Sequence, residues 1–286
     1  MNDVGILKQK NLIVCGIVRN AERGLRKNIP VIQQLCSLFA DYRVVMFEND
    51  SKDATKHLLS EWQDTDRERI HVFLKDTDGQ QTTPHKSEVT CNPFFSEKRI
   101  SKMAALRNQY LDYIEAHGLE ADYLMVVDLD VRNIDISGVL SSFITQQEWD
   151  VVTAFGYSIS PKLRRRYHDT YALTELGEEK NPQTETQIKR LAEKYGRLAK
   201  RGDWVSVFSA FGGLAIYRFD CIRGLRYHVL PNNDERVEVH CEHFSLYWQM
   251  ASRGKVRVFI NPSMVIKYQG LSWGIILRSI RRRIGI

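Results

Sequence analysis

Three short apolar runs separated by stretches of helical period occupy the first quarter of the chain, and this alternation restricts the folds open to it. Asn11-Leu-Ile-Val-Cys-Gly-Ile-Val18 is continuously apolar, the pattern of a strand buried on both faces. From Leu25 to Phe39 the apolar residues Ile29, Ile32, Leu35, Cys36 and Phe39 recur every three or four positions, which predicts a helix. Arg43 to Phe47 reads as a second strand, the segment from Glu48 to Thr55 opens a second helix through Trp62, and His71 to Leu74 is a third strand. Strands joined by helices of this length pair in parallel through crossover connections. The expected class is α/β, with a Rossmann-like, mixed but mostly parallel sheet flanked by helices. A chain of 286 residues accommodates this as one large domain, here drawn over about 1–270, with 271–286 as a separate tail.

Composition narrows the function classes. Hydrophobic residues make up 43% of the chain and aromatic residues 10%, which is too apolar for disorder over the whole length. No run approaches the ~18 apolar residues of a membrane-spanning helix, and Met1-Asn-Asp-Val lacks the basic-then-apolar order of a signal peptide, so a cytoplasmic protein is expected. The five cysteines are scattered and contain no Cys-x-x-Cys pair, which reads as reduced thiols rather than a zinc or redox centre. The net charge of +6 owes much to Arg278, Arg281, Arg282 and Arg283 at the extreme C-terminus, so no broad basic face for nucleic acid is expected. In that tail Trp273, Ile276, Leu277, Ile280 and Ile284 fall at helical spacing. A basic amphipathic helix of this kind suits an anionic membrane surface, and packing against the domain or a partner subunit is the alternative. Peripheral attachment to the inner face of the membrane is the expectation.

The residues that could do chemistry follow the strands. Tyr123-Leu-Met-Val-Val-Asp-Leu-Asp130 is an apolar strand ending in two carboxylates one residue apart. Residues i and i+2 of an extended chain point the same way, so Asp128 and Asp130 can hold a hard divalent cation that neutralises a diphosphate; a loop of two solvated acids is the plain alternative. Glu48 and Asp50 close the second strand, where a carboxylate accepts hydrogen bonds from a base or ribose or simply caps the next helix. The polar loop from Asp76 to Glu97 is long enough to be a functional lid. A helix from Ile100 to about His117 follows. Asp150 to Phe155 reads as a further strand, and the charged segment from Pro161 to Asp203 as a helical insertion over one side of the sheet, with a helical stretch near Gln187–Ala199 and a solvated helix pair as the plain alternative. Gly212 and Gly213 permit close backbone approach to a ligand or form a simple bulge. Glu238-Val-His-Cys-Glu-His-Phe244 brings acids and imidazoles ahead of a helix reaching Met250.

Four segments taken in order carry a resemblance: Ile13-Val-Cys-Gly-Ile-Val-Arg-Asn20, Phe47-Glu-Asn-Asp-Ser-Lys-Asp-Ala-Thr55, Arg99-Ile-Ser-Lys-Met-Ala-Ala-Leu-Arg-Asn108 and Asp128-x-Asp130. Over roughly Asn11 to Pro262 the chain resembles nucleotide-sugar glycosyltransferases of the GT-A fold, and more narrowly the fungal-type capsule-associated and Golgi α-mannosyltransferases. The resemblance implies a nucleotide-binding half over about 11–135 and an acceptor-binding half over about 136–270. It implies that Asp130 and Asp128 bind Mn²⁺ or Mg²⁺, that Arg19, Glu48, Asp50, Arg99, Arg107, Gly212 and Gly213 line the donor nucleotide-sugar site, and that Glu242 is the catalytic base. Such enzymes often have a histidine as third metal ligand, and His243, or else His240, is the candidate. A base at Glu242 implies inversion at the sugar centre, whereas the mannosyltransferase likeness implies retention. The expected reaction moves a hexose from a nucleoside-diphosphate sugar to a hydroxyl of a capsule, lipopolysaccharide or similar glycan or glycolipid. A nucleotidylyltransferase is the first rival, although Gly16 stands alone where its glycine-rich loop belongs. A non-catalytic membrane-surface or nucleic-acid binding module is the second.

Overall fold

The computed structural model describes residues 4–76, 83–160, 163–198 and 202–268. The first βαβαβ stretch forms as the pattern predicts: β1 (Asn11–Val18), α1 (Glu22–Cys36), β2 (Asp41–Asn49), α2 (Thr55–Thr65) and β3 (Ile70–Lys75). α1 starts and ends three residues earlier than the periodicity alone places it, because Phe39 is buried from the turn after the helix rather than from the helix itself. α3 (Glu97–Ala116) begins where the Ser96 hydroxyl accepts the Arg99 N–H, and it leads to β4 (Tyr123–Val127).

After β4 the chain makes the short β5 (Asn133–Ile134) and α4 (Ile136–Ser141), then β6 (Val151–Ile159) and β7 (Arg165–Tyr167). α5 (Glu185–Leu198), β8 (Val205–Ser206), β9 (Leu214–Arg218), α6 (Phe219–Ile222), α7 (Glu242–Arg253) and β10 (Val258–Lys267) complete it. One sheet carries all ten strands, in the order β3-β2-β1-β4-β9-β6-β10-β5, with β7 added on β6 and β8 on β10. β3, β2, β1 and β4 are mutually parallel, so their carboxyl ends share one edge. β9 runs antiparallel to both β4 and β6, and this reversal in mid-sheet delivers Gly212 and Gly213 to the same edge as the end of β4.

The strands alternate side chains between two apolar layers. Ile13, Cys15, Val45, Leu124 and Val126 face Ile100, Ala104 and Leu111 of α3 and Leu246 and Tyr247 of α7. Leu12, Val14, Val44, Met125 and Val127 face Leu25 and Ile32 of α1 and Leu59 and Trp62 of α2. The segment after residue 161 lies over one side of the sheet, as the insertion expected there would, and not as a solvated helix pair. It holds a single described helix, α5, and β7 pairs with the main sheet, where Tyr167 and Tyr195 close that side of the core. The amphipathic tail at 271–286 lies outside the described residues.

Candidate active site

The turns after β1 and β2 are laced together at the shared carboxyl edge. Asn20 N donates to Ser51 Oγ at 2.9 Å and Asn20 Oδ1 accepts from Lys52 N at 2.8 Å. Ala21 N donates to the buried Thr55 Oγ1 at 2.7 Å. Glu48 is buried, and its Oε1 accepts from Ser51 N at 2.7 Å, which fixes the turn; its Oε2 has no partner among the described residues. Asp50 sits buried with φ +53, in the left-handed region that Asp tolerates in turns. The Arg-Asn and Glu-Asn-Asp-Ser segments thus form one continuous ledge, beside which Arg19 stands half-buried.

The Asp128-Leu-Asp130 turn is held from three sides. Asp128 N donates to Gly213 O at 2.9 Å. From below, the buried Asn28 of α1 donates through Nδ2 to Leu129 O and Val131 O at 3.3 and 2.7 Å. Gly24, one helical turn earlier, lies so close that a Cβ there would meet Leu129 O at 2.1 Å. Gly212 and Gly213, with φ of +66 and +89, form the facing wall, and a Cβ on Gly213 would strike the Tyr268 hydroxyl at 2.5 Å.

Beside this turn opens a cleft of about 250 Å³, lined in part by Arg99, Arg107, Asp128, Asp169, Glu242 and Tyr268. Arg107 is its hub. Only 4% exposed, it donates from Nε to Glu242 Oε1 at 3.0 Å and brings Nη2 within 3.6 Å of Asp128 Oδ1, with its guanidinium 5.0 Å from the Phe211 ring centre. Its Nη1 is buried without a partner among the described residues. Arg99 lies nearer solvent, over the Phe94 ring at 4.1 Å. Asp128 also takes a 3.4 Å hydrogen bond from the Tyr268 hydroxyl, and Asp169 Oδ2 accepts from Gly212 N at 3.2 Å. Asp130 is exposed and does not line the cleft, although its charge acts on Asp128.

The charges in the cleft are unequal. Burial pushes the Asp128 carboxyl up to about 7, with Asp130, Asp169 and Glu242 adding to the rise and Arg107 opposing it. Burial and Glu242 likewise lift Asp169 to about 6. Burial alone would raise Glu242 too, but its positively charged neighbours outweigh it and hold that carboxyl well below the usual range. Burial keeps His243 neutral, so Arg107 is the cation that does this. The difference follows from distance, since Arg107 bonds to Glu242 at 3.0 Å and stands 3.6 Å from Asp128.

Two expectations need correction. His243 is 2% exposed, stacked on Phe211 with ring centres 3.9 Å apart, and the described residues contain no group of three His, Cys, Asp or Glu side chains able to hold a metal ion. It packs as a core residue, and His240 stacks on Phe244 in the same way. Glu242, expected as base, is 4% exposed and locked in the Arg107 ion pair, which leaves it little basicity. Asp169, Tyr268, Gly24 and Asn28 were absent from the sequence reading. Asp169 was hidden in the segment read as an insertion, and the one signal for it was the His168-Asp169 pair following the arginine run.

A mixed sheet with its mid-sheet reversal at β9 and an acidic pair at the end of its fourth strand is matched by sequence as well. Residues 12–246 fit the family described as cryptococcal mannosyltransferase 1. The chain belongs to that family. The family is one of mannosyltransferases, and so of glycosyltransferases. No curated protein matches the sequence. Among solved structures, the chain is similar to the mannosyltransferase PcManGT from Pyrobaculum calidifontis in complex with GDP-Man and Mn²⁺, at 13% identity and a TM-score of 0.49, covering 97% of this chain and 65% of that one. TarS of S. aureus gives 14% identity and 0.46, over 95% and 64%. GalNAc-T7 with UDP, GalNAc and Mn²⁺ gives 12% and 0.47, over 93% and 45%. The chain therefore spans less than two thirds of each of these proteins.

Proposed function

We propose that the protein is a divalent-metal-dependent glycosyltransferase that moves a hexose from a nucleoside-diphosphate sugar to a hydroxyl of a cell-surface glycan such as a capsule or lipopolysaccharide. The observation that carries this reading is the Arg107 hub, which joins Glu242 to Asp128 inside a cleft at the carboxyl edge of a family-matched sheet. The donor set suits Mn²⁺ or Mg²⁺: Asp130 is exposed and Asp128 is beside it, and such ions accept phosphate and water oxygens for the rest of their shell. When bound, the ion would offset the charge of the leaving diphosphate. Arg107 Nη1, a buried donor with no protein acceptor, and the Arg99 guanidinium at the cleft wall are suited to phosphate oxygens. The ledge of Arg19, Glu48 and Asp50 is where the nucleoside would lie, with Gly212 and Gly213 allowing the sugar close to the backbone. Asp169 replaces Glu242 as the group that receives the proton of the attacking hydroxyl, because it faces the cleft and is not consumed by an arginine.

A nucleotidylyltransferase is disfavoured by Gly16. A Cβ there would meet Val127 O at 2.5 Å, so the glycine serves strand packing and no phosphate loop. The deciding experiment incubates the protein with Mn²⁺ or Mg²⁺ and a panel of donors led by GDP-mannose, and follows donor hydrolysis and transfer. Turnover of one donor is expected, with Asp130→Ala reducing it by a factor of about 100 or more. Turnover unchanged by that substitution would sink the proposal.

A further inference from the structure

A second concavity, of about 500 Å³, opens between β7 and α5, and it is built largely of arginine. Arg164, Arg165 and Arg166 contribute from the start of β7 and the residue before it, and Arg197 from the last turn of the helix; Glu193, 3.9 Å from Arg197, is the one acidic side chain lining it among the described residues. Arg164, Arg165 and Arg166 have no carboxylate partner among the described residues, in contrast to Arg43, Arg69, Arg226 and Arg257, which are each bonded to one. Arg166 Nε is buried with no hydrogen-bond acceptor there. Arg165 is braced by the Tyr157 ring, 4.6 Å from its guanidinium carbon. Like charges are thus held together at some cost, which an anion would relieve.

The shape and position of the groove favour one kind of anion. Its floor is set by the close packing of α5 on β7, where a Cβ on Gly196 would meet Arg165 O at 2.4 Å, so the charges line a furrow and do not form a flat face against a bilayer. β7 leads through a bend at His168 to Asp169 of the cleft, four residues on from Arg165 and so within about 13 Å of it. A chain lying in the furrow would therefore lie near the site of transfer. We propose that the β7–α5 groove holds carboxylate-bearing sugars of the acceptor, so that the substrate of the reaction proposed above is an acidic glycan. This rests on the glycosyltransferase reading and adds the acceptor's chemical class to it.

The test uses the full chain and a galacturonate tetrasaccharide as probe, with binding measured by calorimetry at low and high salt beside a neutral mannose tetrasaccharide. The acidic probe should bind in a salt-sensitive way and the neutral one should not. Arg164→Gln with Arg166→Gln should weaken the acidic probe about tenfold or more. Glu193→Gln, which leaves every arginine in place, should tighten it roughly two- to fivefold at low salt. Equal affinity in the wild type and both variants overturns the proposal. So does a groove-dependent attachment to phosphatidylglycerol vesicles without binding of the acidic sugar. Donor hydrolysis by the unmodified chain in the same preparation separates the two levels: loss of acid-sugar binding with donor turnover intact refutes the groove alone.

Discussion

At the scale of single residues, Arg107 decides how the cleft is charged. A guanidinium buried with a carboxylate at 3.0 Å is costly to break from one side, because the partner is then left charged and dry. Arg107→Met should therefore destabilise the protein by about 3–5 kcal/mol in urea unfolding. Adding Glu242→Gln should recover much of that loss, since it removes the stranded charge. A double variant no more stable than Arg107→Met would show that the pair is not coupled as the geometry indicates. The same logic separates the three cleft acids: Glu242 is spent on Arg107, while Asp128 and Asp169 are raised by burial, with Asp130, Asp169 and Glu242 adding to the rise of Asp128 and Glu242 to that of Asp169.

At the scale of elements, α1 acts as the seat of the acidic turn. Gly24 and Asn28 are one turn apart on the helix and both meet the Leu129 carbonyl of the acidic turn, Asn28 reaching Val131 O as well. Gly24→Ala must push that turn outward, at a cost of about 1–3 kcal/mol, and should lower donor turnover far more than its thermal shift suggests. Turnover that merely tracks stability would show that α1 does not position the acids. A second clamp starts the β6–β10 pair, where Asp150 receives Arg257 Nε at 3.0 Å and Nη2 at 2.9 Å. Burial would raise Asp150, but the Arg257 hydrogen bonds outweigh it and bring the carboxyl below its usual 3.8. A carboxyl lowered on folding adds stability that is complete above about pH 4 and is lost as the pH falls through its folded value. Asp150→Asn should thus cost about 1 kcal/mol at pH 7 and progressively less below pH 4, as read from unfolding at several pH values. A gap between the two proteins that does not narrow in acid would contradict this.

At the scale of the whole molecule, no described helix is long and apolar enough to cross a membrane. The basic tail read from the sequence is the segment proposed to meet an anionic membrane surface. Removal of the residues from Trp273 onward should release the chain from anionic vesicles in a sedimentation assay, and unchanged partitioning would remove the tail from the account. The βαβαβ half was legible because a strand buried on both faces and a helix buried on one have different periods, which survive in the residues themselves. The acidic pair was legible for the same reason, as it ends such a strand. By contrast, Asp169 and the arginines of β7 sit in a charged segment whose period says solvent; only the pairing of β7 on β6 puts them beside the cleft. Glu242 reads as a free acid before a helix, and only the fold shows that Arg107, 135 residues away, has already taken its charge. Local pattern is written in neighbours along the chain, and so the sequence determined the parallel half of the sheet, the class of fold and the acid-rich carboxyl edge. Which acids are paired, which stay free and where the arginines gather depend on contacts between distant segments, and these only the tertiary structure decided.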